Sequence, residues 1–220
     1  IQQCYNVADT YIVGKYISDD ALAAVGAVGP MSGLLVGLAM GLTDGFSIPV
    51  AQSFGAGNKK LTNHYAGNAI ALTIIISLTI MSLSLFLVKP LLTLLGTPDE
   101  IFDDARLYVS IIYAGAIFTT LYNVLASILR ALGDSKAPLK FLTVTAVLNV
   151  FLNYFTIAVL GMGVDGAAIS TVLSQLVSCI LCVIYINGRK EMLNITWEDL
   201  KIKKTTAVLM LKMGVPMSLQ

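Results

Sequence analysis

Charge is scarce in this sequence. Asp, Glu, Lys and Arg make up 12% of its 220 residues, about half the share of a typical soluble domain. The formal net charge is only +1, which excludes the basic stripe of a nucleic-acid binder. Histidine occurs once, at His64, and cysteine three times, at Cys4, Cys179 and Cys182. Cys179 and Cys182 have CxxC spacing, but no second pair or histidine cluster completes a metal site, so helix packing is the better reading. GxSxG, HExxH and P-loop motifs are all missing, and Gly55-x-Gly57 lacks nucleotide-fingerprint spacing. The chain is therefore read as no enzyme and as needing no cofactor. It also lacks an initiator Met and a signal peptide, and it opens and stops inside apolar stretches. A fragment of a longer protein is expected.

Long apolar runs fill the chain instead. The hydrophobic share is 56% and the mean hydropathy +0.81, which reads as an all-α integral membrane protein. A spanning helix needs about 20 apolar residues. By that measure six spans fall at 1–17, 28–54, 66–88, 107–129, 139–160 and 166–187, and a seventh begins near Ala207. Turn-forming clusters separate them, including Gly55–Lys60, Gly96–Glu100, Gly133–Pro138 and Gly161–Gly163. In the second of the four, Thr97 or Asp99 is expected to cap a short helix before the fourth span. The predicted organisation is a six-helix lobe over 1–187, its first helix truncated. A cytoplasmic linker over 188–205 follows, and then the start of the seventh helix over 206–220. The linker alternates Ile195, Trp197, Leu200 and Ile202 with charges, a pattern that suits the membrane surface.

Lysine and arginine set the orientation. If the first span runs outward, the outer side holds only Lys15, Lys89 and Arg106 of the 14 basic residues. The positive-inside rule then places the remainder in the cytoplasm. His64, beside Lys59 and Lys60, is read as a cytoplasmic loop residue.

Gly29, Gly33, Gly37, Gly41 and Gly45 recur every fourth residue of the second span. They fall near one helical face that another backbone can approach closely. Pro30 and Pro49 permit bends in the same span. Two readings stay open: tight static packing, or a smooth face along which the helix shifts during transport. Asp44, near this face, is either a second intramembrane acid or a group that reaches the headgroup region.

Asp9 is the leading functional candidate. It stands in the apolar run Asn6–Gly14, where a carboxylate costs about 2.5–3.5 kcal/mol on insertion scales. Such acids usually mark an ion or proton pathway. Asn149 and Asn153, spaced i, i+4, share one face of the fifth span, and the sixth carries Ser170, Thr171, Ser174 and Gln175. Carboxylate, amide and hydroxyl oxygens suit a hard cation such as Na⁺. The same carboxyl also titrates, so Na⁺ and H⁺ would compete for it. Aromatic residues within the spans offer ring faces to flat organic cations.

Five segments carry a resemblance to a known family. They are "NVADTYIVGKYISDDALAAVG" from Asn6, "GLTDGFSIPVAQSFGAGN" from Gly41, "LRALGDSKAPLKF" from Leu129, "NVFLNYFTIAVLGMGVDGAAIST" from Asn149, and "LKMGVPMSLQ" at the end. Together they resemble the N-terminal half of a multidrug and toxic compound extrusion (MATE) transporter. The resemblance implies a multi-pass protein of the plasma membrane, here a bacterial inner membrane, with a second six-helix lobe. It implies export of small organic, often cationic, compounds in exchange for Na⁺ or H⁺. It also places Asp9, Asn149, Asn153 and Thr171 in a cation site, with Na⁺ at Asp9. Some members carry Asp where this chain has Asn153, which tilts the expectation toward Na⁺. A flippase for a lipid-linked precursor, performed by related folds, is the alternative, although the spans hold almost no Lys or Arg.

Overall fold

The structure is a computed structural model that describes residues 10–219, leaving aside the side chains of residues 19, 20, 27, 28, 30–32 and 34–36. Asp9 and Cys4 lie outside the described residues. The described chain is helical, with no strand among the described residues. Residues 10–16 are the described part of α1. They are followed by α2 (Asp19–Gly55), α3 (Lys59–Leu94), α4 (Asp99–Ala131), α5 (Lys136–Asn153) with a π-helical turn (Tyr154–Val159), α6 (Val164–Asn187) and α7 (Lys204–Ser218). Among the described residues, four helices are long and apolar enough to cross a membrane: α3, α4, α5 with its π-turn, and α6.

The helices outrun the apolar windows because capping and amphipathic turns continue past the hydrocarbon. Ser18 accepts a hydrogen bond from Ala21 N at 3.1 Å and starts α2 well before residue 28. Asn58 does the same for α3 through Leu61 N at 3.1 Å. The short helix expected before the fourth span is simply the first turns of α4. Ile101 and Ala105 are buried on one side there, while Asp103 and Asp104 face outward. Neither Thr97 nor Asp99 caps it. Pro98 precedes the helix without a side-chain cap, and Asp99 and Glu100 lie in the first turn, where negative charge favours the helix dipole.

Lipid tails are as apolar as leucine, so these helices gain little by hiding greasy surface from one another. Close approach at small residues and interior hydrogen bonds hold them instead. Phe86, Leu94, Val147 and Ile184 accordingly stay exposed on the outside. Inside, α4 is the central helix, packed on α2, α3 and α6. A Cβ on Gly115 of α4 would come within 2.6 Å of Val172 Cγ1 on α6. The glycine face of α2 divides in two. At Gly41 a Cβ would lie 2.6 Å from Met217 O, and at Gly45 2.6 Å from Gly214 N, so these two seat α7. At Gly29, Gly33 and Gly37 a Cβ would meet no atom within 4 Å among the described residues. The helix α2 runs on through both Pro30 and Pro49.

Two expectations about polar segments need correction. His64 is no loop residue: it lies near the start of α3, half-buried, with Nε2 3.1 Å from Thr206 Oγ1 of α7. The linker does more than lie on a surface. Buried Asn68 of α3 donates to Asp199 O at 2.8 Å and accepts from Lys203 N at 3.1 Å. Gly67 beside it leaves room for the Asp199 carbonyl. A turn that was apolar by composition therefore grips the linker through one amide. Trp197 remains 86% exposed.

Candidate functional site

Four polar residues of α5 and its π-turn form one buried row. Thr145, Asn149, Asn153 and Thr156 are spaced 4, 4 and 3 residues apart, so a helix aligns them, and all four are buried. They face α6. Asn153 Nδ2 donates to Asn149 Oδ1 at 3.2 Å. Asn149 Nδ2 donates to Thr171 Oγ1 at 3.4 Å. At one end of the row Ser178 Oγ donates to Thr145 Oγ1 at 2.7 Å. At the other, Thr156 Oγ1 lies 3.0 Å from Ser170 Oγ and 3.2 Å from Gly166 O. Three of the residues predicted for a cation site, Asn149, Asn153 and Thr171, are thus brought together. Asp9, the fourth, lies outside the described residues.

The backbone changes register beside this row. The π-turn starts directly after Asn153. Leu160 N reaches back five residues to Phe155 O at 3.0 Å. Such turns shift carbonyls out of the α-helical ladder and are frequent at functional sites. Gly161, at φ +67°, ends the turn in a conformation that disfavours a side chain. Gly166 lets the start of α6 come close: a Cβ there would lie 3.2 Å from Thr156 Oγ1. Ile12 and Val13 of α1 are buried in the same cluster as Ile157, Val164 and Ala167.

A second polar cluster joins α2 to α4. Arg130 Nη2 donates to Asp44 Oδ1 at 3.0 Å and to Ser127 Oγ at 2.7 Å. Ser127 Oγ donates to Asp44 Oδ1 at 2.5 Å. Asp44 and Arg130 are each about half exposed, so the acid is paired and partly open to its surroundings.

Sequence reasoning passed over Thr145, Thr156 and Ser178. Their spacing was readable, but a helical threonine or serine commonly bonds its own backbone four residues back, which masks a tertiary role. Asp44 had no visible partner because Ser127 and Arg130 lie 83 and 86 residues away. Cys179 and Cys182 are buried free thiols in α6. No group of three or more His, Cys, Asp or Glu side chains among the described residues is placed to hold a metal ion.

The fold and the row define a polytopic helical membrane protein with a polar interior between two facing spans. The MatE family model matches residues 1–155, and the chain belongs to that family. It is 30% identical over 216 residues to the probable multidrug resistance protein YoeA of Bacillus subtilis, covering 94% of this chain and 46% of that protein. An inward-facing conformation of a multidrug resistance MATE family transporter of the MOP superfamily is similar with TM-score 0.92 and 30% identity, over 100% of this chain and 50% of that one. An outward-facing conformation of such a transporter is similar with TM-score 0.90 and 30% identity, over 99% and 48%. The chain spans about half the length of the curated relatives it matches.

Proposed function

We propose that the full-length protein is a secondary antiporter of the plasma membrane that exports organic, often cationic, compounds in exchange for Na⁺ or H⁺. The observation that carries this reading is the pair of buried amides Asn153 and Asn149 on α5, joined to the half-buried hydroxyl of Thr171 on α6. Buried amides and hydroxyls inside lipid are costly to keep without a task. Their oxygens suit a hard cation, and Asp9 would supply the charge. Two buried residues support its placement there. Ile12 and Val13, three and four positions beyond Asp9, pack in one cluster with Ile157, which lies in the turn after Asn153.

The similarity to both an inward-facing and an outward-facing relative fits a lobe that moves as one body. That is the behaviour alternating access requires of it. In this mechanism the cation bound at Asp9 reshapes α1 and weakens the hold on the exported compound. Linkage then demands that the compound weaken the cation to the same degree.

The experiment is efflux of a fluorescent organic cation from vesicles holding the full-length protein, with Na⁺ and pH gradients imposed separately. Wild type should respond to one gradient, and Asp9→Asn should lose that response. An Asp9→Asn protein that transports with unchanged ion dependence refutes the proposal.

A further inference from the structure

A third group of charged and aromatic side chains gathers between the start of α5 and the end of α6. An open cleft of about 400 Å³ lies there, lined by Asp134, Lys136, Lys140, Phe141, Tyr185 and Arg189. Asp134 would repel an anion, but its charge is already engaged. Its Oδ1 accepts from Ala137 N at 3.1 Å, its Oδ2 accepts from Tyr185 Oη at 2.5 Å, and Arg189 Nη1 stands 3.7 Å away. Arg189 also stacks over the Tyr185 ring, 4.6 Å from its centroid, and Phe141 meets that ring edge-on at 5.4 Å. The guanidinium is thus held in place at the rim. Among the described residues the only ion pairs are Arg130–Asp44 and Arg189–Asp134, so Lys136 and Lys140 bring two unpaired, exposed positive charges.

What lies beneath these lysines identifies the occupant. Lys136, Lys140, Val144, Val147 and Phe151 are spaced 4, 4, 3 and 4 residues apart and so run down one face of α5. It is a different face from the one that carries Asn149 and Asn153. Val144, Val147 and Phe151 are each more than half exposed. A cationic mouth at the end of a spanning helix continues into an open apolar track, the two-part shape of a phospholipid. A soluble phosphate would use the mouth and have no need of the track.

We infer that this cleft binds the phosphate headgroup of an anionic phospholipid, with Lys136 and Lys140 on the phosphate and an acyl chain along Val144, Val147 and Phe151. The Lys/Arg distribution predicts that the cleft faces the cytoplasm, where basic pockets between spans take such headgroups. Arg189 and Tyr185 brace the rim, and Asp134 holds them there.

The test uses the full-length protein in phosphatidylcholine nanodiscs with increasing phosphatidylglycerol, the retained lipid being counted by native mass spectrometry. At about fivefold per lysine, Lys136→Gln with Lys140→Gln should weaken phosphatidylglycerol retention roughly 25-fold. Lys59→Gln with Lys60→Gln removes the same charge from exposed positions at the start of α3 and should leave retention near wild type. Val147→Ser should weaken it while both lysines remain. Three results overturn the inference: equal loss in both lysine pairs, which reports only surface potential; displacement of the lipid by equimolar inorganic phosphate; or no phosphatidylglycerol retained by wild type, as when the second lobe covers the track. Unchanged melting temperatures of the variants exclude misfolding as the cause of a loss.

Discussion

The Asp44–Arg130 pair offers the sharpest test of how wet this part of the protein is. Removing one partner of a fully buried ion pair costs about 3–5 kcal/mol, because the other charge is stranded. An exposed pair couples by only about 0.2–1 kcal/mol. Here the two side chains are 47% and 49% exposed, so screening reduces the Coulomb term and the upper end of the exposed range applies. Ser127 adds a charge-assisted hydrogen bond to the same carboxylate oxygen, and the serine is itself buried. The expected coupling energy is therefore about 1 kcal/mol, near a fivefold change in an equilibrium constant. The perturbation is a double-mutant cycle of Asp44→Asn and Arg130→Gln, read by equilibrium unfolding of the full-length protein in mixed micelles. Coupling of about 3 kcal/mol or more would refute the reasoning by showing that the pair is dry. Coupling near zero would show that the pair contributes nothing to holding α2 against α4.

The glycine face of α2 should respond unevenly. Gly45→Ala forces a methyl group into the α7 backbone and should destabilise by about 1–3 kcal/mol, whereas Gly37→Ala meets no atom within 4 Å among the described residues and should be neutral or slightly stabilising in thermal melts. Asn153→Ala removes the buried amide that donates to Asn149 and should cost about 1–3 kcal/mol in the same unfolding assay. Asn153→Asp adds a titratable group to the row and should make vesicle efflux more sensitive to an imposed pH gradient; an unchanged pH response would count against a cation site there. The Asp134 carboxyl is held below its ordinary value of 3.8, first by the Tyr185 hydroxyl and further by the Ala137 amide and Arg189. Its stabilising contribution is thus complete above 3.8 and fades as pH falls through the lower folded value. Tyr185→Phe should lower stability near neutrality and shrink the loss seen on acidification, measured as melting temperature between about pH 6 and pH 3.

The division between what was legible and what was not follows from the solvent. In lipid the outward faces need only be apolar, so hydropathy locates the spans and says little about which helix touches which. Most of the buried polar groups are single hydroxyls, which a sequence does not single out, whereas Asn149 and Asn153, two amides four residues apart, were found by spacing. Thr171 was one of four polar residues the sixth span offered, and only family resemblance singled it out, because a hydroxyl in a helix can satisfy itself on its own backbone. Asp44 could not be understood at all until Ser127 and Arg130 were brought to it from another helix. The same holds for Asn68, whose amide grips a linker more than 130 residues away, and for the π-turn after Asn153, which no residue pattern announces. α5 concentrates the lesson. Its period carries two stripes, an amide and hydroxyl row turned inward and a lysine-to-valine track turned outward, and a hydropathy average cancels one against the other. Once the helix is placed against α6, the two stripes separate, and the two proposals assign them different tasks: a cation for the inner one and an anionic phospholipid for the outer one. A substitution on the outer stripe such as Lys140→Gln should therefore change lipid retention while leaving the ion dependence of efflux intact, and Asn149→Ala should do the reverse.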